Sequence, residues 1–482
     1  MYTFPLQGPE PRGTPNGRDE CTTECHDPPG TRSDGRMIVP PEPRGRRRAA
    51  RRLPASAMLR RLSWGVADQA VSSLTNVVVG LYVARTLGPV DFGAFSLAYV
   101  TYAFLLNASR GVATDPLVVR HSGSPDASWR TAASRSAGTA TVVGVVGGAA
   151  CLFAAVLFGT DGATGAAFLA LGITIPGLLL QDAWRFVFFS CGRGEQALLN
   201  DAMWGTTLLV CLTLVTAGGQ ADVLSVTLIW GLTGTVAALF GAVQVRSLPR
   251  PTQCLRWVLD NRDLAPRYLA ENLSMSGAAQ LRMYGVGALA GLTAVGAVRG
   301  AEVLMGPFFV LLYGLSAVAV PEAVRVRKRS SHDLLRFCLS LGALMAAAAA
   351  CWGAVLLLLM PLGPGEWLLG DVWALSSALL VPATLAVVNA SFSVGASAGL
   401  RALAAARRSL RAQLVGAAAY FVGGITGAAL GGAVGSAWGV AAATFVGAVV
   451  WWWHFRSGIA EGVVPSRHEG SINPTISSGR TS

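Results

Sequence analysis

Residues 339–360 read LSLGALMAAAAACWGAVLLLLM, a run without a single charged side chain. Coiled as an α-helix at ~1.5 Å per residue, it reaches about 33 Å, enough to cross roughly 30 Å of hydrocarbon. A barrel strand would instead alternate apolar and polar positions over about ten residues. Since the bilayer core offers no water to unpaired backbone groups, a continuous apolar run of this length reads as a spanning helix.

Working outward from it, similar runs predict helices at 63–84, 91–109, 137–158, 164–189, 202–217 and 222–244 in the first half of the chain. A second set follows at 269–290, 299–320, 337–360, 373–396, 412–431 and 433–455. The fold class is therefore an all-α membrane protein of about twelve transmembrane helices. Composition agrees, with 52% of the 482 residues hydrophobic and 13% charged, roughly half the charged fraction of soluble domains. The mean hydropathy is +0.49.

Arginine positions set the expected orientation, because basic residues flanking spans stay on the cytoplasmic side. The even-numbered connections hold Arg120, Arg130 and Arg135, then Arg193, then Arg246, Arg250, Arg256, Arg262 and Arg267. The later ones hold Arg325, Arg327, Lys328 and Arg329, and finally Arg401, Arg407, Arg408 and Arg411. Only Arg85 and Arg299 lie near the opposite face. An even span count with this bias places both termini in the cytoplasm of a bacterial inner (plasma) membrane. The net charge of +12 follows from dispersed topology signals and not from a basic face for nucleic acid.

Residues 1–60 form a basic leader rich in Pro, Gly and Arg, expected to be disordered, and they lack the apolar core of a secretory signal. Met58, followed by Leu59, Arg60 and Arg61, is an alternative start that leaves translation of residues 1–57 open; a peptide covering Ile38 to Arg44 in intact-protein mass spectrometry would exclude it. The rest divides into an N-terminal six-helix lobe (61–245), a cytoplasmic inter-lobe linker (246–268), a C-terminal six-helix lobe (269–456) and a disordered tail (457–482). Helices one and seven each follow a basic lead-in and then carry polar residues into the membrane, which suggests an internal duplication with parallel repeats.

Enzyme chemistry has no visible home. The single lysine, Lys328, follows Arg327 where a phosphate loop needs glycine, no HExxH helix exists and the five histidines are scattered. Cys21, Cys25 and His26 cluster but lack a fourth metal ligand. No metal, cofactor or catalytic residue is predicted.

The informative residues are the polar ones inside the hydrocarbon, each costing about 2.5–3.5 kcal/mol at mid-helix. Asp68 and Gln69 precede Asn76 on helix one, and eight residues leave Asp68 and Asn76 within roughly 80° of each other. Arg282 lies too deep in helix seven to snorkel, so it lines a hydrated cavity or pairs with Asp68 or Glu302. Glu302 stands one turn after Arg299, a local helix pair. Asp182 and Arg185 form a similar pair, with Arg185 near enough to the helix end to reach the headgroups. Gly423, Gly427, Gly431, Gly435 and Gly439 recur every four residues across the last hairpin and read as close helix packing.

Ser63, Trp64 and Gly65 lead into Asp68 and Gln69; then come Ala84-Arg85-Thr86-Leu87-Gly88-Pro89, Asp91-Phe92-Gly93 and later Asp115-Pro116-Leu117. Together these resemble the opening of polysaccharide-biosynthesis (O-antigen type) flippases of the multidrug/oligosaccharidyl-lipid/polysaccharide exporter superfamily. The resemblance covers roughly residues 60 to 456, with its motif confined to the first two helices. A Gly88-Pro89 turn, Asp91 near a helix start and Gly93 for close approach read by themselves as a tight external hairpin.

The resemblance implies two six-helix lobes around a central hydrated cavity, flipping a lipid-linked oligosaccharide to the external leaflet by alternating access. Membrane lipids, a glycan polymerase and export proteins are the implied partners. A cationic cavity would suit a polyprenyl diphosphate, since Arg presents a planar fork to phosphate oxygens. Arg282 is the first substrate-binding candidate, with Arg85 and Arg299 at comparable external positions of the two halves. Asp68 or Glu302 would couple an ion gradient. An ion-coupled drug or metabolite antiporter and a non-transporting scaffold for glycan assembly stay open as alternatives.

Overall fold

The computed structural model describes residues 55–123, 126–219 and 221–462; the expectations for the leader up to residue 54, including Cys21, Cys25 and His26, and for the tail beyond 462 fall outside them. The described residues contain no strand, and nine of their helices are long and apolar enough to span a bilayer. Three of the nine fold back on themselves. The helix Ala55–Ser109 breaks at Gly88 (φ 74°, ψ 175°), Ala265–Arg327 breaks at Gly291 (φ 82°, ψ 175°), and Ala406–Gly462 breaks at Gly431 and Gly432. Only glycine takes such positive φ values without strain, so each break is fixed by residue type. Twelve spanning segments of a multi-pass membrane protein result.

We number them α1 (55–87), α2 (89–109), α3 (Ala127–Phe158), α4 (Ala163–Ser190), α5 (Gly194–Ala217), α6 (Val223–Val245), α7 (265–290), α8 (292–327), α9 (Ser331–Leu359), α10 (Leu380–Ala402), α11 (406–430) and α12 (433–462). All twelve predicted spans are present, and several start earlier than hydropathy suggests. α3 begins at Ala127 because Asp126 caps it, accepting the Trp129 N–H at 2.7 Å. That bond holds the Asp126 carboxyl below its usual range. A reciprocal Asp222–Ser225 capping box starts α6. α12 runs to Gly462, so residues 457–462 are helical and not part of a disordered tail.

In the first lobe α4 packs along α3 and α6; in the second α10 packs along α8, α9 and the α11–α12 hairpin. The four-residue glycine spacing does what it predicts. A Cβ on Gly427 would overlap the Gly435 carbonyl, and one on Gly423 the Gly439 carbonyl, so α11 and α12 meet backbone to backbone. The inter-lobe linker is not a free strap. Its Arg250 N–H donates to the Ser134 carbonyl at 2.9 Å, and Trp257, 2% exposed, donates to the Val112 carbonyl at 3.2 Å, which pins the linker helix Cys254–Asp260 to the first lobe.

The duplication is visible in the backbone. Gly88 and Gly291 adopt nearly the same dihedrals and lie 203 positions apart, as do Asp68 and Glu271, Gln69 and Asn272, and Gly93 and Gly296. Each lobe thus opens with an acid–amide pair and, about five turns later, a glycine hairpin.

Candidate functional site

The two glycine hairpins interlock at one end of the molecule. A Cβ on Gly93 would overlap the Leu292 carbonyl oxygen and one on Gly296 the Pro89 carbonyl oxygen, so each lobe lays a glycine on the backbone just past the other's turn. Gly93 therefore serves contact between lobes and not, as its sequence position suggests, packing within its own hairpin. Asp91 sits in the first turn of α2, at the positive end of the helix dipole. Below these tips the lobes continue in register: Gly80 meets Val303, Gly306 meets Val77, and Thr101 and Tyr284 share a hydroxyl–hydroxyl bond of 2.6 Å. Near the arginine-bearing ends Asn272 donates to Asp115 at 2.8 Å.

Between α1, α2 and the second lobe lies a cavity of about 470 Å³. Its polar wall runs Tyr99, Arg299, Glu302, Arg282, Tyr420. Arg282 Nη2 meets Glu302 Oε1 at 2.8 Å, and Arg299 Nη1 meets Glu302 Oε2 at 3.3 Å. Arg282 also donates to Ser436 at 3.3 Å and stacks 5.3 Å from the Tyr420 ring centroid; Arg299 stacks 4.5 Å from Tyr99 of the other lobe. In a straight helix residues 282 and 302 would stand about 30 Å apart. The Gly291 reversal brings them together. Two guanidiniums share one carboxylate, leaving the wall one positive charge in excess, with Ser73 and Asn76 of α1 opposite.

Three candidates, Arg282, Arg299 and Glu302, thus share one cavity. The other two stand elsewhere. Asp68, fully buried, accepts from Arg185 Nε at 2.8 Å and Nη2 at 2.5 Å, and Arg185 also contacts Asp201 Oδ2 at 3.2 Å. Gln181 donates to Asp201 at 2.7 Å, and Arg110 clasps Asp182 through both Nε (2.8 Å) and Nη2 (2.5 Å). This buried set ties α1, the π turn Arg110–Thr114 that follows α2, α4 and α5 inside the first lobe. Asp68 therefore pairs with Arg185, not Arg282, and shares no site with Asn76. Arg185 does not snorkel, and Asp182 is not its partner. The reason is electrostatic: Asp68 and Asp201 are buried beside Arg185, and drawing its guanidinium out to the interface would leave both charges uncompensated. Arg185→Ala should leave both acids unpaired at a cost of about 3–5 kcal/mol, read as loss of monodisperse protein or a large fall in melting temperature in detergent.

Arg85 is a strut at the tips and not a cavity residue. Its Nη1 donates to the Trp367 carbonyl at 2.6 Å and its guanidinium lies 5.3 Å from the Trp367 ring, on the short helix Pro364–Leu369 of the second lobe. It precedes its hairpin glycine by three residues, whereas Arg299 follows its own by eight, so the two are not equivalents. Arg85→Ala should loosen the tips while lowering the melting temperature in detergent only slightly, because an exposed interaction of this kind contributes little energy; a thermal melt of the purified variant reads this.

No family model matches the chain, and no curated protein matches it. Solved structures do share its fold. An inward-facing multidrug-resistance MATE family transporter of the MOP superfamily superposes with a TM-score of 0.64 at 16% identity, covering 82% of this chain and 98% of that one. An outward-facing conformation gives 0.52 at 17% identity over 84% and 96%. A MATE protein in complex with MaD3S gives 0.54 at 18% identity over the same shares. The chain thus has the two-lobed, twelve-helix fold of MOP superfamily transporters.

Proposed function

We propose that this protein is a transporter that moves a polyprenyl-diphosphate oligosaccharide across the membrane by alternating access. The observation that carries it is the excess of guanidinium over carboxylate at the inter-lobe cavity, where a diphosphate finds Arg282 and Arg299 on one wall. Planar guanidiniums in a low-dielectric wall suit phosphate oxygens. The fold shared with MOP transporters supports a cavity exposed alternately to the two sides. The arginine-bearing ends are then cytoplasmic and the glycine tips external, which makes the described state closed to the outside. Export follows from entry at the cytoplasmic side. Glycan polymerase and export proteins would receive the product.

A second reading has one observation of its own. Asp68 and Asp201 face a single Arg185, and Asp68 Oδ1 has no hydrogen-bond partner among the described residues. That excess acid would suit coupling to a cation gradient, as in a drug or metabolite antiporter. A binding comparison separates the two readings: the purified native chain should be stabilised thermally by a short-chain polyprenyl diphosphate and not by a quaternary ammonium drug. The opposite order would favour the antiporter, and stabilisation by neither would favour a non-transporting scaffold.

A further inference from the structure

Arg282 presents a half-used fork. Its Nη2 holds Glu302, but Nε on the same edge has no hydrogen-bond partner, although the side chain is only 3% exposed. Arg110 shows the contrast, spending both Nε and Nη2 on the two oxygens of Asp182. A buried donor without a partner is costly, and this one lies on the wall of the cavity beside the Tyr420 ring. Glu302 is the opposite kind of partner, with 35% of its side chain exposed to the cavity. It also has somewhere to go: Arg299, one turn earlier on the same helix, already holds its second oxygen at 3.3 Å.

Resting on the anion-transport reading, we propose that Glu302 is an internal counter-ion that occupies Arg282 in the empty cavity and is displaced by the diphosphate of the ligand. The incoming group takes both Nε and Nη2 of Arg282, bidentate where the carboxylate is monodentate, and carries more charge than the carboxylate it replaces. Glu302 then relaxes onto Arg299 Nη1, and the ligand shares Arg299 through its other donors. Because Arg282 belongs to α7 and Glu302 to α8, the exchange cuts a strut across the hairpin about 15 Å below Gly291. Ligand occupancy is thereby reported to the turn that meets Pro89 and Gly93 at the tips. The carboxylate also keeps the empty site from retaining weaker, singly charged anions.

Isothermal calorimetry on the full-length protein in detergent tests this with two probes, inorganic pyrophosphate and a short-chain polyprenyl diphosphate. Glu302→Gln, which keeps shape and removes charge, should bind at least one probe about tenfold or more tighter than the native chain, while Arg282→Ala should bind neither. Whichever probe gains more assigns the diphosphate to a free or a lipid-borne source. Equal or weaker binding by Glu302→Gln overturns the counter-ion role while leaving the cationic cavity intact. If native and variant both ignore both probes, the anion-transport reading itself fails. Should Glu302→Gln not yield monodisperse protein, Glu302→Asp serves, since its shorter arm draws the carboxylate away from Arg282; it should also bind tighter than the native chain.

Discussion

Arg282→Ala should reduce translocation of a polyprenyl-diphosphate oligosaccharide about 30-fold or more at equal amounts of inserted protein. Truncating one partner of a buried, hydrogen-bonded charge pair costs roughly 2–5 kcal/mol, and each 1.4 kcal/mol is tenfold. The loss falls on the ligand, because Glu302 keeps Arg299 at 3.3 Å when Arg282 is gone. Arg282→Lys should recover only a small part of the activity: an ammonium restores charge but not the paired Nε and Nη2 donors of the fork. Transport by the lysine variant at the native rate would mean that charge alone matters and that the fork geometry is irrelevant.

Gly93→Ala should prevent the lobes from closing at their tips. Its new Cβ meets the Leu292 carbonyl, which is backbone and cannot swing aside as a side chain can. Overpacking of this kind costs about 1–3 kcal/mol or more, and the tip-closed state is the one that bears it, so the population ratio should move roughly 5- to 150-fold toward separated tips. Gly296→Ala, against the Pro89 carbonyl, should act in the same direction. Spin labels at Thr86 and Thr293, near the two turns, should report a longer mean distance in either variant. Gly416→Ala is the control, since a Cβ there meets open space. An unchanged distance distribution in Gly93→Ala would remove the tips as a gate.

Much of this architecture was legible because the bilayer enforces a simple rule: runs such as Leu339 to Met360 admit one reading. The early starts of α3 and α5 were hidden by polar first turns, residues 127–136 and 194–201, that are helical although their composition is not that of a spanning run. The Arg299–Glu302 pair followed from i,i+3 spacing. Glu302 was one of the two partners the sequence offers Arg282, and the reversal at Gly291 is what selects it over Asp68. Arg110 was missed because α2 appeared to end beside it; a π turn at Arg110–Thr114 instead carries the helix on to Asp115–His121 and aims the guanidinium at Asp182. Arg185 was misread because its partners, Asp68 and Asp201, come from other helices, and no local rule brings them to it. The 203-residue offset linking Gly88 to Gly291 and Gly93 to Gly296 was present in the sequence all along.

The most direct test of the central claim is the native chain, reconstituted into proteoliposomes loaded with a fluorescent polyprenyl-diphosphate oligosaccharide, with arrival of the sugar in the opposite leaflet measured by a membrane-impermeant quencher. The account predicts quenching well above that of protein-free vesicles, abolished by Arg282→Ala. Native protein that moves no lipid under any imposed ion gradient, or an Arg282→Ala variant that moves it as fast as the native chain, would contradict it.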